Sequence, residues 1–386
     1  MNDYMPLHMK FLLDSSKKKN EERKRTLVRG LPPGRFLDDE VYFCESKHEM
    51  SPYKNRGELE NHLQILSHWG AKEPLVFFDL ETTGLSGGTG TYAFLAGIGM
   101  LDQDQFIVRQ LFLCSPRAEG IWLQKLMEII PYKPSFVTYN GKNFDLPLIN
   151  TRFILSRIEP IEPTGHLDLL HLARRLWKKR IGSCTLSNVE KQILGIDRKT
   201  EDVPGFLIPE LYAQFLKTGD ASGLSGVFYH NEMDILSLCM LFNKVAMTLS
   251  GRSTDPHEID MAGDAWYNYD LNKASRLWEK ASLLTPPAKN AIWKLAIEYK
   301  RQGDHCEALS LFKKLYDMEY KKIDVAVEIS KIYEHQLKNA KEALLWAEKA
   351  MDNFLRYRPF LSSIRKGKMA DLTKRTDRLR NKIRLR

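Results

Sequence analysis

The sequence predicts a multidomain chain: an α/β domain over residues 71–250, then an all-α helical-repeat domain over 255–355. Three observations carry this expectation. Apolar runs alternate with helix-period segments from about residue 71 to 250, as in a layered α/β fold. A polar linker, Ser250 to Glu258, then interrupts the pattern. Beyond it, Ala274, Ala308 and Ala343 recur at spacings of 34 and 35 residues.

Residues 1–70 mix a basic polar segment, the breaker Gly30-Leu31-Pro32-Pro33-Gly34 and the apolar patch Val41 to Cys44. They are expected to be a partly flexible lead-in with one strand. Pro74 to Leu80 is apolar on both faces, as in a strand covered on both sides. Tyr92 to Met100, Phe106 to Leu113 and the shorter Ser135 to Asn140 are further strands, with Gly120 to Ile130 a helix. Helices are expected near 146–157, 166–178 and 185–194, and a long one over 225–248. In the repeats, Trp278, Phe312 and Ala347 follow the three alanines by four residues, and Ala281, Leu315 and Ala350 come three later. This spacing matches the 34-residue tetratricopeptide unit, in which small residues let paired helices approach and a large one fills the gap. The third copy lacks the aromatic, and a generic helical bundle is the competing reading. Residues 356–386 hold twelve Lys/Arg and two acids, which by itself exceeds the whole chain's net charge of +9. Such a basic tail suits a polyanion partner or is simply solvated.

The 386 residues suit two or three domains, and 43% hydrophobic with 28% charged content excludes a disordered or collagen-like chain. No apolar run approaches a spanning helix, and the start lacks a secretory apolar core, so no membrane partner is expected. Five cysteines, widely spaced and without C-x-x-C, argue against a disulfide framework or zinc ribbon and for a reducing cytoplasm.

The chemistry lies in carboxylates at strand ends. Asp79 and Glu81 share one face of the Leu75 to Glu81 strand, where like charges are costly unless a cation neutralises them. Lying beyond the sheet edge or pairing with Arg would also accommodate them. Asp145 follows Thr138-Tyr139-Asn140-Gly141 where a strand meets a helix, and His230 and Asp234 share a face of the long helix. Four converging carboxylates are the hard oxygen ligands that two Mg²⁺ or Mn²⁺ ions take, and such a pair orients water and stabilises a leaving oxygen.

D-x-E-T-T-G at Asp79, N-x3-F-D at Asn140 and H-x3-D at His230 resemble the three motifs of the DEDD exonuclease superfamily, whose domain is RNase H-like. The middle motif is particularly similar to that of proofreading domains in family B polymerases. Glu81 to Leu95, His166 to His171 and His230 to Leu238 resemble the bacterial YprB-like family of predicted nucleases with C-terminal tetratricopeptide-like repeats. The resemblance implies a mixed central sheet flanked by helices and a 3′→5′ exonuclease of single-stranded DNA or RNA ends. It implies Asp79, Glu81, Asp145 and Asp234 as metal ligands, Thr82 and Leu85 at the terminal nucleotide, and Asn140 as a strand contact. The base position is exchanged: Tyr229 and His230 stand where the histidine and tyrosine subclasses have the opposite residues. His230, one helical turn from Asp234, is the expected base, with orientation of Asp234 as the alternative role.

Other motifs read as structural. His166, Asp168 and His171 fit a helix start with Asp near its positive end. Ser86 to Gly90 reads as a hairpin for close substrate approach, Ser187-x-x-Glu190 as a capping box and Trp177 to Arg180 as an exposed helix end. The repeats are expected to hold a protein partner or brace the nuclease domain. A non-catalytic nucleic-acid-binding adaptor on the same scaffold is the rival function.

Overall fold

The computed structural model describes residues 30–49, 56–84, 90–102, 105–198, 202–357 and 362–385. The chain divides into two compact units, Met1–Met247 and Thr248–Arg386.

The first unit is built on seven strands: β1 (Gly34–Asp38), β2 (Val41–His48), β3 (Leu75–Thr82), β4 (Ala93–Asp102), β5 (Gln105–Leu113), β6 (Ser135–Thr138) and β7 (Gly165–Asp168). They form one mixed sheet in the order β1-β2-β5-β4-β3-β6-β7. The β3–β6 and β6–β7 pairs are parallel and the others antiparallel. This is the mixed, helix-flanked sheet that the resemblance implies. The lead-in expectation needs correcting, because it supplies two strands. β2 pairs with β5 along its whole length, from Val41↔Leu113 to His48↔Phe106. Tyr42 ties it down: its ring is fully buried and its hydroxyl donates to Pro32 O at 2.8 Å. A helix, α1 (Arg56–Leu66), also falls inside the presumed lead-in.

Alternation along β3 serves two cores. Val76, Phe78 and Leu80 join Trp122, Phe136, Phe153 and Tyr212 on one face. These partners come mainly from α2 (Glu119–Ile129), α3 (Asp145–Leu155) and α6 (Ile208–Thr218). On the other face Phe77 meets Phe242 of α7 (Ser225–Leu249), ring centroids 5.7 Å apart. That helix lies unusually close to β4 because two glycines face it. A Cβ on Gly97 would come within 2.5 Å of Asn231 Oδ1, and one on Gly99 within 2.6 Å of Ile235 Cγ2. Two further helices, α4 (Leu169–Ile181) and the short α5 (Leu186–Val189), follow β7.

The second unit is all-α, with α8 (Pro256–Trp266), α9 (Leu271–Leu283), α10 (Lys289–Gln302), α11 (His305–Asp317), α12 (Lys322–His335), α13 (Ala340–Tyr357) and α14 (Ser362–Arg384). All nine repeat positions singled out above are buried, from Ala274, Trp278 and Ala281 through Ala343, Ala347 and Ala350. The expected basic tail is corrected to a packed helix. Leu372, Thr376 and Leu379 of α14 are buried at helical spacing. Its cations find acids on neighbouring helices: Arg375 and Arg378 meet Glu334 at 3.1 and 2.6 Å, and Arg380 meets Glu348 at 3.0 Å. No helix among the described residues is long and apolar enough to cross a membrane.

Candidate active site

β3 outruns its parallel neighbour. Pairing with β6 stops at Phe77↔Val137, whereas β4 continues alongside Asp79 and Glu81. The end of β3 therefore opens beside the turn that follows β6. Asn140 in that turn has φ 66, a left-handed conformation that Asn tolerates. Asp168, 3% exposed, braces the turn by accepting the amides of Asn140 (2.8 Å) and Lys142 (3.2 Å), and also caps α4 through Leu170 N (3.1 Å). The chain then enters α3 at its first residue, Asp145, whose carboxylate is stabilised by backbone hydrogen bonds from its own residue and from Leu80.

The third contribution comes from α7. Asn231 is fully buried over Gly97, the cross-strand partner of Asp79, and donates Nδ2 to Asp79 Oδ2 at 3.0 Å. Gln110 in turn donates to Asn231 Oδ1 at 3.0 Å and to Phe228 O at 2.8 Å, which fixes the Asn amide. On either side of Asn231 along the same helix, His230 and Asp234 face Arg198. His230 Nδ1 lies 2.8 Å from Asp202 Oδ1, and its Nε2 lies 3.7 Å from Asp234 Oδ2. Arg198 forms a fork with Glu190, Nε to Oε2 at 2.8 Å and Nη2 to Oε1 at 2.5 Å, and also bonds Asp234.

Electrostatics link the four motif acids. Burial pushes Asp79 well up, and Asp234 and Asp145 push it further. Glu81 is raised by burial and then by Asp79, Asp234 and Asp145. Asp145 rises to about 7, through burial and then repulsion from Asp168 and Asp234. Asp234 is raised by burial although His230 and Arg198 oppose the shift. Such a set is short of positive charge. Among the described residues no three His, Cys, Asp or Glu side chains are spaced to hold one ion. The donors are nonetheless the hard carboxylate oxygens that Mg²⁺ or Mn²⁺ takes, so the chemistry of the set fits a divalent cation.

The other sequence candidates separate from this group. Thr82 ends β3 and donates its hydroxyl to Gly84 O at 2.8 Å. The Asn140 side chain accepts from Asn143 Nδ2 at 3.2 Å. Leu85 and most of the Ser86 to Gly90 hairpin lie outside the described residues. His166 belongs to β7 rather than to a helix start, is bonded to Thr138 Oγ1 at 2.8 Å, and is lowered to about 4 by burial. The capping-box reading of Ser187-x-x-Glu190 is corrected. Thr185 caps α5, accepting Asn188 N at 3.4 Å, while Glu190 is 1% exposed and holds Arg198 and Ser237. Asn231, Arg198 and Asp202 are site neighbours that sequence reasoning left unassigned, and Glu190 is one that it assigned to a cap. Only Asn231 carried a signal, lying between His230 and Asp234.

A mixed sheet with acids from β3, α3 and α7 gathered at the end of an inner strand defines a member of the RNase H-like nuclease superfamily. The RNase_H superfamily model matches residues 76–246, from β3 almost to the end of α7. More particularly, the chain belongs to the YprB-like family. It is 37% identical over 294 residues to "Uncharacterized protein YprB" of Bacillus subtilis (strain 168), a match covering 73% of this chain and 70% of that relative.

Proposed function

We propose that the protein is a divalent-metal-dependent nuclease that hydrolyses single-stranded DNA or RNA ends from 3′ to 5′. The observation that carries this reading is that Asp79 and Glu81 at the end of β3 lie near enough to Asp145 and Asp234 for those acids to raise their carboxyls, with Arg198 bonded to Asp234. These four carboxylates would hold two Mg²⁺ or Mn²⁺ ions, which when bound activate water and stabilise the departing 3′ oxygen.

The chain's own groups divide the remaining work. With Nδ1–H donated to Asp202, His230 presents its Nε2 lone pair on the Asp234 side, where it accepts the proton of the attacking water. Asn231 holds Asp79 in one orientation through a buried amide bond. Thr82, Leu85 and Asn140 would position the terminal nucleotide, which gives the reaction its preference for an end. The repeats, read as tetratricopeptide-like, would hold a protein partner. A reducing cytoplasm suits five cysteines that form no disulfide.

The test is incubation of 5′-labelled single strands with Mn²⁺ or Mg²⁺, comparing wild type with Asp79→Asn. A ladder shortened from the 3′ end by the wild type alone supports the reading. Equal products from both proteins, or cleavage of a circular single strand, would refute it.

A further inference from the structure

Every nitrogen of the Arg198 guanidinium is taken by the protein. Nε and Nη2 grip Glu190, Nη2 also bonds Asp234 Oδ1, and Nη1 lies 3.4 Å from Asp202 Oδ2 and 3.3 Å from His230 Nδ1. Glu190 is a firm anchor, being 1% exposed and itself held by Ser237 Oγ at 2.5 Å. With His230 Nδ1–H directed at Asp202, four of the five guanidinium N–H groups have carboxylate acceptors within the protein. The arrangement spends one Asp234 oxygen on an internal cation. Fork-on-carboxylate geometry of this kind is the strong form of a charged hydrogen bond.

We propose that Arg198 is a built-in cation of the carboxylate cluster that competes with a divalent ion for Asp234. The inference rests on the metal reading of the site given above. Burial disfavours the charged form of Asp234, and the guanidinium beside it offsets part of that cost. An arriving ion and the guanidinium draw on the same carboxylate, so in this proposal loading weakens the Arg198–Asp234 contact. The side chain has somewhere to move. A pocket of ≈ 440 Å³ opens beside it, lined by Arg198, Asp202, Val203, Pro204, His230 and Asp234. Asp202 and Glu190 can keep the guanidinium paired after it leaves Asp234, so release does not strand a buried charge.

Titration calorimetry with Mn²⁺ and no nucleic acid tests this. Arg198→Gln should bind Mn²⁺ at least tenfold more tightly than wild type, whereas a merely structural arginine would weaken binding when removed. The pair Glu190→Gln/Arg198→Gln, which avoids an unpaired buried Glu190, should show the same gain if the single variant folds poorly. Lys142→Gln removes an exposed cation three residues from Asp145 and should change affinity less than threefold. Unchanged or weaker binding in the Arg198 variants, while wild type binds and Asp79→Asn does not, overturns the competition. An equal gain in Lys142→Gln overturns it too, because that is general charge removal. Absence of Mn²⁺ binding in wild type and both Arg198 variants overturns the metal reading beneath it.

Discussion

Replacing Gly97 by Ala tests how the sheet brings Asn231 to Asp79. The added Cβ would lie 2.5 Å from Asn231 Oδ1, 2.8 Å from Asn231 Nδ2 and 2.8 Å from Ile235 Cγ1. All three distances are shorter than real Cβ contacts, and none of the atoms sits at the end of a long flexible side chain. Asn231 is held by Gln110 and Asp79, and Ile235 is fully buried. The helix must therefore lift from the sheet or the Asn231–Asp79 bond must break. Overpacking of this kind costs about 1–3 kcal/mol, which lowers the melting temperature of a domain this size by roughly 2–12 °C. Gly120→Ala is the matched control. It lies in α2 with nothing within 4 Å of its new Cβ, so helix propensity predicts a neutral or slightly stabilising change of about 0.5–1 kcal/mol. Calorimetry that resolves the first unit's transition measures both. A Gly97→Ala protein as stable as wild type, with unchanged nuclease activity, would refute the close-approach argument.

The other predictions concern charge and orientation. Asn231→Ala should lower kcat by about 10–100-fold with little change in KM, since it frees Asp79 without removing a substrate contact; an equal loss confined to KM would contradict it. Asp145 titrates at about 7 in the folded chain against 3.8 for an unperturbed carboxyl, so the native state holds the extra proton between these values. Stability without metal should thus fall as pH rises through that window, by a few kcal/mol at most. The melting-temperature advantage of Asp145→Asn over wild type should grow from about pH 4 to pH 8, and parallel curves would count against the shift. Glu334→Ala removes the acid shared by Arg375 and Arg378, so amide exchange across α14 should accelerate by about tenfold or more, a loss of roughly 1–3 kcal/mol. Unchanged protection there would show that Leu372 and Leu379 hold the helix without help.

Elements whose signal is local were readable in the sequence. β3, β4 and β5 announce themselves as apolar runs, and the first acid motif lies at the end of β3, the second opens α3 and the third lies within α7. β7 escaped because Gly165–Asp168 is only four residues long and leads directly into a helix. Only the Val41–Cys44 half of β2 carried a strand signal, because its second half is polar and takes its register from β5. The 356–386 segment was read from its charge, which masked the Leu372, Thr376, Leu379 stripe that packs it. Glu190 shows the limit most clearly. Its spacing from Ser187 imitates a cap, but its partners Arg198 and Ser237 are 8 and 47 residues away, and only tertiary structure joins them. Arg198 likewise belongs to no motif. An arginine partner was weighed from sequence for Asp79 and Glu81, whereas the arginine hydrogen bond falls on Asp234, through Arg198.

Anomalous diffraction from crystals grown with Mn²⁺ and a short single strand addresses the central proposal most directly. Manganese density bridging Asp79 with Glu81, Asp145 or Asp234, beside the 3′-terminal phosphate, is the predicted outcome. Manganese bound only elsewhere, with the strand's 3′ end remote from these four carboxylates, would contradict it.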